Sequence, residues 1–98
     1  MATRTSSSLK QAFKRFVELV KPIDDVRHVV AIEDGAPDIF TYITTLDESV
    51  SSQVHHAEFE IMRDFPNLAV LFHVRYLEGR KLDANALSPL AYSKEAAY

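Results

Sequence analysis

Hydrophobic periodicity switches repeatedly along these 98 residues, and the order of the switches leaves few architectures open. Leu9, Ala12, Phe13, Phe16, Val17 and Val20 recur at helical spacing, with Lys10, Lys14, Arg15 and Glu18 between them. Residues three and four apart share one side of a helix, so the spacing predicts an amphipathic helix over 8–21. Ser6, Ser7 and Ser8 offer N-cap hydroxyls, and Pro22 drives the residue before it out of the α region. The pattern then becomes β-branched and aromatic in VRHVVAIE (26–33) and DIFTYITTL (38–46). Asp34-Gly35-Ala36-Pro37 lies between them, which predicts an antiparallel hairpin with a loop of about four residues. Thr41 and Thr45 alternate with Phe40 and Tyr42, so the threonine side is expected to be the less buried.

Helical spacing returns with Val50, Val54, Ala57, Ile61 and Phe65, capped by Asp47 or Ser49 and ended by Pro66. LAVLFHVRYL (68–77) is the most hydrophobic stretch and reads as a largely buried third strand. Gly79-Arg80-Lys81 breaks it, and the weak pattern around Ser88-Pro89 reads as a C-terminal tail over 82–98, packed back on a domain of residues 1–81 or carrying a short helix. The expected class is α+β in the order α-β-β-α-β, a three-stranded mixed sheet with two helices mainly on one face. A crossover helix makes the second and third strands parallel, in sheet order 1-2-3 or 2-1-3. The expected core holds Phe13, Phe16, Val20, Val30, Ile32, Val54, Ile61, Phe65, Val70, Phe72 and Val74.

Composition narrows the function classes. The chain has no cysteine, which excludes disulfides, thiolate metal sites and a cysteine nucleophile. No apolar run reaches the length of a membrane span, and charges interrupt the apolar residues near the N-terminus, so a soluble cytoplasmic protein is expected. The net charge of −3 conceals a gradient: +4 over 1–22, −8 over 23–67 and +1 over 68–98. With a pI near 5.7, nucleic acid is not an expected partner.

The order of elements, together with PDIFTYITTLDE (37–48) and LAVLFHVRY (68–76), resembles the minimal nucleotidyltransferase domain over roughly residues 8–77. The resemblance implies two metal ions, held by an Asp-x-Asp pair on one strand and a third acid on a later one. Asp38 matches the first acid and is the candidate nucleotide-binding residue; Phe40 stands at the second. The later strand offers Ala69, Val70, Leu71 and Phe72, and Glu33-Asp34-Gly35 replaces the family's Gly-Ser. The resemblance therefore implies a degenerate, non-catalytic relative, with a minimal nucleotidyltransferase of displaced acids as the alternative.

Two further clusters carry chemistry. His55 and Glu58, and His56 and Glu60, are three and four residues apart on the second helix, so each pair is a two-ligand candidate for a metal. Neither makes the set of about three protein ligands that a zinc site needs, so no metal site or cofactor is assigned. Nucleophile-elbow and phosphate-loop motifs are absent, and the chain has two glycines, Gly35 and Gly79. The other cluster is apolar. At about 100° per residue, Phe59 falls nearly opposite the Val50–Ile61 stripe, beside His55 and Met62. Such a second face must meet Leu87, Leu90 and Tyr92 of the C-terminal segment, the first helix or another chain. His55, Phe59 and Met62 are thus the expected interaction residues. The expected function is a small non-enzymatic binding or regulatory module, a homodimer or one member of a toxin–antitoxin-like pair.

Overall fold

A computed structural model of the chain describes residues 7–94. Its elements are α1 (Ser7–Val20), β1 (Val26–Asp34), β2 (Ala36–Ile43), α2 (Glu48–Asp64), β3 (Leu71–Tyr76), α3 (Ala84–Leu87) and β4 (Leu90–Ser93). The capping role expected of Ser6 lies outside the described residues. The fold is α+β, with a four-stranded mixed sheet in the order β3-β2-β1-β4. β1 pairs antiparallel with β2 and β4, while β2 and β3 are parallel, as a connection through α2 requires.

The expected three-stranded sheet with two helices is corrected by the segment 82–94. Read as a tail, it supplies α3 and then β4, which pairs Ala31 with Leu90 and His28 with Ser93. The hairpin loop is also tighter than four residues. Asp34 and Ala36 are already partners, leaving Gly35 alone to turn the chain at φ 85°, a left-handed backbone that glycine adopts without steric cost.

Register decides which side of each strand is buried. Val26, Val29 and Ala31 of β1 and Ile39, Thr41 and Ile43 of β2 share one face of the sheet. That face meets the buried stripes of α1 (Leu9, Ala12, Phe13, Phe16, Val17, Val20) and α2 (Val50, Val54, Ala57, Ile61) in one core. Thr41 is consequently fully buried, while Phe40 and Tyr42 occupy the other, half-buried face. This reverses the expectation from alternation, because two isoleucines outweigh one threonine in choosing the face.

β3 is a sheet edge and not the deeply buried strand its hydrophobicity suggests. Phe72 and Val74 reach the core, with the Phe72 ring 5.4 Å from Phe16, yet both stay half-buried; Val70, Phe65 and Ile32 of the expected core are half-buried as well. A strand with a neighbour on one side only leaves its outer flank to solvent.

β3 and β4 lie at opposite edges, so residues 77–89 must cross one face of the sheet. The first face is occupied by α1 and α2, and the crossing is made over the second. There α3 contacts β1 and β4, Ala84 is buried, and Val30 and His28 of β1 are fully enclosed. The Ser88 hydroxyl donates to the Ala31 carbonyl at 2.6 Å where the chain enters β4. α3 thus covers the β1–β4 half of this face, while in the β2–β3 half Asp38, Phe40, Tyr42 and His73 are half-buried and Leu71 and Arg75 are exposed.

Candidate functional site

The outer face of α2 begins at a defined cap. Asp47 accepts the Ser49 backbone N–H at 2.8 Å and fixes the helix start, and thereby the rotation of every later residue. With Val50, Val54, Ala57 and Ile61 turned into the core, Phe59 is aimed straight out. It is 70% exposed, and Met62 beside it is 46% exposed. His55 completes the face; its Nδ1 lies 2.9 Å from Glu58 Oε1, and because a carboxylate only accepts, Nδ1 carries the proton. Glu58 itself is buried, and its other oxygen has no hydrogen-bond partner. The hydrophobic sequence pattern gave no sign that this carboxylate would be enclosed.

The segment expected as one cover for Phe59 goes elsewhere. Leu90 and Tyr92 pack against the core from β4, and Leu87 is itself exposed. Among the described residues the C-terminal segment does not reach the outer face of α2. The reason is topological: pairing β4 with β1 commits that segment to the second face and the far edge of the sheet.

The metal candidates remain two separate pairs. His55 faces Glu58, whereas His56 Nε2 lies 3.9 Å from Glu60 Oε2 around the helix from it. Among the described residues no group of three or more metal-ligating side chains comes together.

Asp38 has a partner that sequence reasoning missed. Parallel pairing of β2 with β3 sets Asp38, Phe40 and Tyr42 opposite Leu71, His73 and Arg75. Asp38 Oδ1 accepts from His73 Nε2 at 2.8 Å, and the His73 ring stacks on Phe40 at 4.5 Å and 16°. The Arg75 guanidinium lies over Phe40, 5.4 Å from the ring centre. Phe40 thus sits at the centre of an aromatic and cationic row. The signal was the alternation Asp38-x-Phe40-x-Tyr42 and Leu71-x-His73-x-Arg75, legible only once the two strands are known to be neighbours in register.

Two other polar contacts tie the C-terminal strand to the fold. The Ser93 hydroxyl and His28 Nδ1 are 2.9 Å apart beneath the crossing segment, which pins β4 to a fully buried imidazole. Lys94 donates to the Ile23 carbonyl at 2.6 Å, and burial lowers its pKa from the ordinary lysine value.

No protein-family model, curated protein or solved structure matches this chain.

Proposed function

We propose that this chain is a non-enzymatic interaction module that associates with a second copy of itself through the outer face of α2. The observation that carries the reading is the 70% exposure of Phe59 on a helix whose opposite side fills the core. Burying Phe59 and Met62 would each recover roughly 1.5–3 kcal/mol of the cost of wetting an apolar side chain. The strip is also self-compatible. The outward residues Ser51, Ser52, His55, Phe59 and Met62 include no aspartate, glutamate, lysine or arginine, and Arg63 flanks them at the C-terminal end, in a chain that is 26% charged. A two-fold contact therefore meets no like-charge repulsion along its centre.

Asp38, engaged by His73 on the sheet, lends no second carboxylate for a metal pair, and the non-enzymatic reading takes support from that. The cysteine-free sequence gives a clean test of the contact. Ser52→Cys, exposed on the same outer face and leaving Phe59 in place, should yield a covalent dimer when treated with a short bismaleimide. Arg15→Cys, on the exposed side of α1, should stay a monomer under the same conditions. Equal cross-linking of the two variants, or none in Ser52→Cys, would overturn the proposal.

A further inference from the structure

The β2–β3 half of the second sheet face runs out to the free edge of β3, where Leu71 and Arg75 are exposed. Its floor is a grid of two rows, Asp38–Phe40–Tyr42 and Leu71–His73–Arg75. The charges on this floor are not balanced. Asp38 is its one carboxylate, and that group is taken by His73 at 2.8 Å. Arg75 is exposed, and its contacts are the Phe40 ring and a 3.4 Å hydrogen bond to the adjacent Val74 carbonyl. Two other exposed arginines, Arg63 and Arg80, differ. Arg63 is held by Glu60 and Asp64, and Arg80 by Glu78. A guanidinium fork offers paired donors suited to carboxylate or phosphate, and here it is poised beside apolar rings in a protein of net charge −3. Leu71, 57% exposed, extends the apolar floor at the other end of the row.

We infer that this half-face binds a flat aromatic anion, with Arg75 taking the carboxylate or phosphate and Phe40, Tyr42, His73 and Leu71 contacting the ring. Asp38 acts as a positioning residue: by accepting from Nε2 it holds the His73 ring stacked against Phe40. The site lies across the sheet from α2, so the inference is independent of self-association.

The test uses the isotope-labelled full chain, followed by amide chemical shifts. Indole-3-acetate and adenosine monophosphate are the probes; acetate, inorganic phosphate and adenosine are the single-function controls. Shifts from at least one probe should concentrate on 38–42 and 71–75, saturating at millimolar concentration or below. Saturation by indole-3-acetate alone assigns the anion as carboxylate, and saturation by adenosine monophosphate alone assigns phosphate. Arg75→Gln, a surface change, should weaken the effective probe about tenfold or more while leaving the rest of the spectrum in place. Three results would overturn the inference: no localised shifts from either probe, unchanged binding by Arg75→Gln, or controls as effective as the full probes. None of them touches the α2 contact, which is read separately from molecular mass.

Discussion

Thr41 carries its hydroxyl into the centre of the core, fully buried and with no hydrogen-bond partner for Oγ1. A hydroxyl withdrawn from water without a partner is a net cost, and valine has nearly the same shape without it. Thr41→Val is therefore expected to stabilise the protein by about 1 kcal/mol, seen as a higher urea midpoint at unchanged slope. A lower midpoint would show that the hydroxyl is satisfied in solution. The same residue marks a limit of reading the sequence. Alternation in DIFTYITTL identified a two-faced strand, but which face turns inward depended on Ile39 and Ile43 meeting α1 and α2. Asp38 shows the limit again. Its partner His73 is 35 positions away, and no local pattern announces a contact made by strand register.

At the level of elements, both long helices and β1 were legible, each carrying a complete period bounded by a cap, a proline or the Gly35 turn, while β2 was expected over 38–46 and runs Ala36–Ile43. β4 was not. It has four residues, follows Ser88-Pro89, and exists by pairing with β1 about sixty residues earlier. β3 was found but placed too deep, since hydrophobicity alone does not separate an edge strand from a central one. The pairing of β4 has a consequence for stability. Truncation after Lys81 removes α3 and β4, uncovers Val30 and His28, and leaves β1 with one neighbour. The truncated chain is expected to lose cooperative thermal unfolding, measured by circular dichroism or calorimetry. A sharp transition close to that of the full chain would show that residues 82–98 are dispensable for the fold.

Across the whole molecule, one continuous core is enclosed between α1, α2 and the first face of the sheet, and two surfaces are left uncovered on opposite sides of it. The outer face of α2 was visible in the sequence as Phe59 opposite the core stripe. The β2–β3 half-face was not, because it depends on where residues 77–89 cross. The central claim concerns α2, and light scattering across a concentration series tests it most directly. The unaltered chain should approach twice its 11.1 kDa mass as concentration rises. Phe59→Asp should remain at the monomer mass with a native circular dichroism spectrum, since residue 59 lies outside the core. An unaltered chain that stays at 11.1 kDa throughout, or a Phe59→Asp variant that still dimerises, would contradict the account.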